Sequence, residues 1–177
     1  MATVYTIGHS TRSAEDFREL LQHYGIEQLV DVRQFPGSRR YPHFGSGTLA
    51  EALAAGIAYH HERDLGGRRP TRENSPNQYW RNASFRSFAD YMATAEFRGA
   101  LARLVDRDGS LKIAIMCAAT VPWRCHRWLI SDVLVSRGID VLHILDARHN
   151  QPHVLNPAAK LDEDGVLIYP APATPAG

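Results

Sequence analysis

Cysteine is scarce in this chain, with Cys117 and Cys125 the only two among 177 residues. A single pair does not make the disulfide framework of a small secreted domain. Lysine is just as scarce: of 20 basic residues eighteen are arginine, and only Lys112 and Lys160 complete the set. Alanine is abundant, so a GC-rich coding sequence accounts for much of this bias, yet arginine is also the better residue for bidentate phosphate or carboxylate recognition. Neither sign of charge dominates. Against 19 acidic residues the formal net charge is +1, which gives no global reason to expect nucleic acid or an anionic membrane as partner. Apolar runs are short, and none approaches the roughly 18 residues that span a bilayer. The start MATVYTIGHS has neither a basic n-region nor a long apolar h-region, so no signal peptide is expected and the expected location is cytoplasmic.

What is present is an alternation of two periodicities. Val4–Gly8, Gln28–Val32, Ile57–His60, Leu111–Met116 and Val141–Leu145 read as short buried strands, and Gly165–Tyr169 as a further edge strand. Between them, Ser13 with Asp16 caps a helix whose Phe17, Leu20, Leu21 and Tyr24 share one face. Thr48 with Glu51 opens a second helix closed by Gly56; residues 84–105 form a third helical region with a break near Thr94 or Gly99; and Cys125–Ser136 forms a last helix. The alternation predicts a three-layer α/β/α fold with a mainly parallel central sheet of about five strands. Residues 1–170 are expected to form a single domain, followed by a frayed tail at 171–177.

In such a sheet, ligands bind outside the carboxyl ends of the strands. Those ends are chemically rich here. The first delivers His9 and Ser10; the second Asp31, Arg33, Arg39, Arg40, Tyr41 and His43; the third His61, Glu62, Asp64, the Gly66-Gly67 pair and Arg68; the fourth Cys117, Arg124, Cys125, His126 and Arg127; the fifth His143, Asp146, Arg148 and His149.

A cysteine at a helix start has its thiolate favoured by the helix dipole and by neighbouring cations. Cys125 and Cys117 are therefore candidate nucleophiles, with His9 and His126 as proton-transfer groups. Ser10, Arg33, Arg39, Tyr41, Gly66, Gly67 and Arg127 are candidate ligand-binding residues, because two loops on one sheet edge bring cations beside a helix N-terminus. Each has a plainer alternative: a small buried cysteine, a backbone-bonded imidazole, a solvated arginine, a simple glycine turn. Cys117 to Arg124 is Cys-x6-Arg, one residue longer than the phosphatase Cys-x5-Arg, and its loop contains Pro122, which has no N–H for a phosphate. Seven residues between the thiols is unlike a Cys-x-x-Cys redox motif, although a strand end and the next helix start come within disulfide reach. No compact Cys/His pair suggests a metal. The segment Tyr79-Trp80-Arg81 offers either a base-stacking surface or a cover for the core.

Taken in order, TIGHS, LVDVRQFPGSRRYPHF, the LGG loop and the C-x7-CHR segment resemble the DUF488 family over most of the chain. The resemblance implies a three-layer α/β fold with these motifs gathered at one sheet end, and it implies no reaction or cofactor. The family pattern reads C-x-E ahead of CHR; this chain has Ala119 at that position, so any role of the acid is lost or moved. Two functional expectations stand side by side. One is a pocket for a small anionic ligand, phosphate- or carboxylate-bearing, with Cys/His chemistry in an enzyme. The other is a non-catalytic nucleotide- or nucleic-acid-binding module, with a Cys/His metal or redox site as a lesser alternative.

Overall fold

In the computed structural model the described residues are 3–37, 39–53, 56–106 and 111–172. The elements follow in chain order: strand β1 (Thr3–Gly8), helix α1 (Ala14–His23), β2 (Gln28–Asp31), α2 (Ser46–Leu53), β3 (Ala58–His61), α3 (Ala83–Tyr91), α4 (Ala95–Val105), β4 (Ile113–Cys117), α5 (Arg127–Ser136), β5 (Asp140–Ile144), β6 (Asn150–Pro152), β7 (Lys160–Leu161) and β8 (Leu167–Ile168). Six strands form one sheet in the order β3-β2-β4-β1-β5-β6. All its pairings are parallel except β5 with β6. The expected mainly parallel α/β architecture is therefore present. No helix among the described residues is long and apolar enough to cross a membrane.

The central strands are buried on both faces. Every residue of β4, IAIMC, is buried, as a continuous apolar run in a parallel sheet requires. Alternate side chains then feed two cores. On one face Ile7, Leu29, Ala114 and Met116 pack with Phe17, Leu20 and Leu21 of α1 and Leu49 and Leu53 of α2. On the other, Val4, Val30, Ile113 and Ile115 pack with Phe88 of α3, Leu101 and Leu104 of α4, and Leu129, Ile130 and Leu134 of α5.

The expected break in residues 84–105 falls at Thr94 and gives two helices, because the chain turns after Met92 and Thr94 caps α4 by accepting from the Phe97 amide at 3.3 Å. Other sequence expectations need correction. Helix α2 begins at Ser46, ahead of the expected Thr48 cap. The last helix begins at Arg127: Pro122 starts a 3-10 turn over 122–124, and Cys125 follows it in extended conformation. Residues 165–169 give β8 of a separate two-stranded hairpin with β7. The sixth sheet strand, β6, had no hydrophobic signature, since its residues Asn-Gln-Pro are exposed at an edge, where proline is tolerated. Part of the predicted tail, 173–177, lies outside the described residues.

Candidate active site at the ends of β1 and β4

Strands β1 and β4 are neighbours, but the chain leaves them toward opposite faces. From β1 it crosses through α1 to β2; from β4 it crosses through α5 to β5. Divergent connections at adjacent carboxyl ends leave a crevice. Here the crevice is a cavity of about 620 Å³. His9, Ser10 and Thr11 line it after β1; Arg33, Gln34, Phe35 and Tyr41 after β2; Gly67 and Arg68 after β3; and Cys117–Thr120 with Arg124, Cys125 and His126 after β4. Phe85 and Phe88 of α3 complete the wall.

The two strand ends are pressed together. The His9 amide donates to the Cys117 carbonyl at 2.9 Å and the Ser10 amide to the Ala118 carbonyl at 3.1 Å. Gly8 permits this approach, since a Cβ there would sit 2.7 Å from the Ala119 carbonyl carbon. Ser10 adopts a positive φ of 54° and its Oγ is 2.8 Å from Thr120 Oγ1, tying the two loops a second time. Arg12 fixes the next strand end: it donates to the Gly8 carbonyl at 2.5 Å and the Leu145 carbonyl at 2.6 Å.

Asp31 and Arg33 form a buried pair. Arg33 Nε donates to Asp31 Oδ1 at 2.9 Å and Nη2 to Oδ2 at 2.7 Å, and Tyr59 donates its hydroxyl to the same carboxylate. Burial works against the Arg33 charge, but the bonds to Asp31 and its attraction outweigh it, so the guanidinium pKa is raised. Burial and the Asp31 charge together raise the Tyr59 pKa.

Both pocket histidines are held neutral at pH 7. His126 Nε2 donates to the Val32 carbonyl at 2.7 Å, an acceptor-only partner that leaves Nδ1 unprotonated. Nδ1 lies 3.5 Å from Cys125 Sγ. Desolvation pushes the His126 pKa down to about 4. His9 is arranged alike: Nδ1 donates to the Ser10 carbonyl at 2.9 Å, its ring stacks on Phe44 with centroids 4.3 Å apart, and burial lowers its pKa.

Cys117 and Cys125 are joined sulfur to sulfur, with Cα atoms 7.2 Å apart. Cys125 Sγ also accepts from the Arg127 amide at 3.5 Å. The Arg127 side chain is fully buried behind the cavity floor. Its Nη1 donates to Cys117 Sγ at 2.5 Å and to the Ala119 carbonyl at 3.1 Å, while Nε and Nη2 have no partner.

Of the residues singled out from sequence, His9, Ser10, Arg33, Tyr41, Gly67, Cys117, Cys125 and His126 line this cavity; Arg127 and Gly66 stand directly behind it, and Arg39 is exposed outside its lining. Neither glycine of the Gly66-Gly67 pair has a positive φ. They serve close approach instead: a Cβ on Gly66 would lie 2.6 Å from Gln34 Cα, and one on Gly67 3.2 Å from His126 Nδ1. Trp80 is part of the core, between Phe85 and Tyr169. His143 faces away from the cavity into a buried chain: Thr6 Oγ1 at 2.5 Å on one side, His153 Nδ1 at 2.8 Å on the other, then Asp132 and the Tyr169 hydroxyl. Arg68, expected after the third strand, lines the cavity too; sequence reasoning missed Phe35 and Thr120, which reach it from loops with no local signature. Among the described residues, no three His, Cys, Asp or Glu side chains come together as a metal cage.

Residues 13–134 match the family described as Domain of unknown function DUF488, and the chain belongs to that family. Comparisons with curated proteins and with solved structures gave no match.

Proposed function

We propose that the crevice between β1 and β4 binds a small phosphate- or carboxylate-bearing ligand. One observation carries the reading: among the described residues, three arginines, Arg33, Arg68 and Arg124, line the cavity and no Asp or Glu does. Arg33 is already matched by Asp31, so Arg68 and Arg124 supply the unmatched charge, with donors from Ser10 and Thr120 beside them. The apolar wall of Phe35, Phe85 and Phe88 suits a ligand with an organic body, and the volume is that of an ordinary small-molecule site. Once the Cys117–Cys125 bond is reduced, its thiols are the nucleophiles on the floor, and the two neutral imidazoles beside them are proton acceptors for an enzyme acting on that ligand.

The test is thermal-shift screening with phosphorylated and carboxylated metabolites, followed by calorimetry on the hits. At a hundredfold excess over Kd a ligand stabilises by about 2.7 kcal/mol, a rise of roughly 5–10 °C for a chain of this size. Arg68→Ala with Arg124→Ala should weaken the hit at least tenfold. Failure of every anion to bind, or unchanged affinity in the double variant, refutes the reading. Binding of single-stranded nucleic acid with a steep salt dependence would favour the non-catalytic alternative instead.

A further inference from the structure

We infer that Cys117 and Cys125 form a reversible dithiol–disulfide centre that exchanges with a low-molecular-weight disulfide admitted by the cavity, with Cys117 as the attacking thiolate and Arg127 as its counter-ion. The inference does not depend on an anionic ligand occupying the site.

Arg127 carries the argument. Its guanidinium is completely buried, yet among the described residues it pairs with no carboxylate, and the nearby charge it feels is another cation, Arg12. An unmatched buried charge is costly. The atom its Nη1 addresses is Cys117 Sγ, and two further nitrogens stay unpartnered. In the disulfide that sulfur is neutral, and burial pushes the Arg127 pKa down to about 9. Reduction changes the balance: a Cys117 thiolate supplies the missing anion in contact with the guanidinium. The buried pair therefore favours the reduced state and makes the disulfide an oxidant.

Cys125 has the complementary environment of a resolving thiol. Its sulfur faces the unprotonated Nδ1 of His126, which accepts a hydrogen bond from the thiol and aims it, and it lies within bonding reach of Cys117. Both cysteines are almost buried, at 3% and 7% exposure, and both open only to the cavity. The partner is therefore a small molecule rather than another protein's surface disulfide.

The chemistry balances. The Cys117 thiolate attacks one sulfur of RS–SR, the S–S bond breaks, and RS⁻ leaves. The departing RS⁻ takes the Cys125 proton to give RSH; the Cys125 thiolate then attacks Cys117 Sγ and expels the second RS⁻, which takes from water the proton that Cys117 released on ionising. Two protein thiols are oxidised, RS–SR is reduced to two RSH, and the reverse path reduces the protein.

The experiment equilibrates the whole protein in glutathione buffers of graded ratio, traps thiols by alkylation and counts them by intact mass. The pH dependence of Cys117 alkylation is measured alongside. The expected result is a reduced protein whose Cys117 is ionised well below the ordinary thiol pKa of about 8.5. In Arg127→Met, Cys117 should react at least tenfold more slowly at pH 7, and the equilibrium should move at least tenfold toward the disulfide, about 30 mV for a two-electron couple. If Arg127→Met does not fold, thiolate absorbance of the reduced wild type decides: it should vanish in Cys117→Ser and persist in Cys125→Ser. Ordinary ionisation of Cys117, absorbance that follows Cys125, or cysteines that never pair in any buffer overturns the inference. A failed anion screen leaves these readouts untouched.

Discussion

Gly8→Ala should be among the most damaging single-methyl additions this chain can receive. The new Cβ would lie 2.7 Å from the Ala119 carbonyl carbon and closer still to its oxygen, whereas carbon atoms in ordinary contact stand about 3.5–4.0 Å apart. One of the two strand ends must therefore retreat by roughly 1 Å. The peptides that would move carry the bonds His9 N to Cys117 O, Ser10 N to Ala118 O and Arg127 Nη1 to Ala119 O. At about 0.5–1.5 kcal/mol for each bond, and more where a buried cation loses its acceptor, the cost is about 3–5 kcal/mol. For a chain of this size that is a fall of roughly 6–20 °C in Tm. Calorimetry or urea denaturation measures it, with Gly37→Ala as control, because nothing lies within 4 Å of a Cβ there. If Gly8→Ala melts within about 2 °C of the wild type, the close approach of the two loops is not the constraint described.

Further outcomes follow from the same geometry. Asp31→Ala strands a buried guanidinium and should cost about 3–5 kcal/mol by chemical denaturation, while Asp31→Ala with Arg33→Met recovers part of that loss. Tyr169→Phe removes the hydroxyl that donates to Asp132 at 2.6 Å and should cost about 1–3 kcal/mol; an unchanged midpoint would show that the carboxylate is satisfied without it. Burial lowers the pKa of His126 to about 4 and of His143 to about 3, from an ordinary 6.5. Neutral forms are favoured in the folded state, so this stability is complete above pH 6.5 and is lost as pH falls toward the folded values. Urea unfolding at pH 7 and pH 5 should differ by about 2–4 kcal/mol, since each histidine contributes up to about 1.4 kcal/mol per pH unit. A flat profile between those pH values would contradict it.

The sheet was legible because its signals are local. Runs such as KIAIMC can hardly be anything but a strand buried on both sides, and Ser13 with Asp16 marks the start of α1. The convergence of His9, Arg33, Cys117 and His126 was legible for a related reason, since each directly follows a strand and parallel pairing carries them all to one edge. What escaped was non-local. Nothing in the sequence around Asp132 distinguishes it from a solvated helix residue; only the arrival of His153 and Tyr169 from the chain's last segment makes it a buried acceptor. The close-approach role of Gly66 and Gly67 escaped in the same way, because their neighbours Gln34 and His126 come from loops distant in sequence. The isolation of Arg127 was invisible too, since a missing counter-ion leaves no trace in sequence.

The strand order has a practical consequence for anyone dissecting this family. The stretch that matches it, 13–134, starts after β1 and stops before β5. In space, however, β1 lies between β4 and β5 and leads directly into His9, Ser10 and Thr11 of the cavity wall. A fragment trimmed to the family boundaries would leave a flank of β4 bare, the crevice without its His9–Thr11 wall, and Asp132 facing no histidine or tyrosine. Expression plasmids cut at those limits should yield aggregated material, and a negative assay on such a fragment would say nothing about what the intact chain can do.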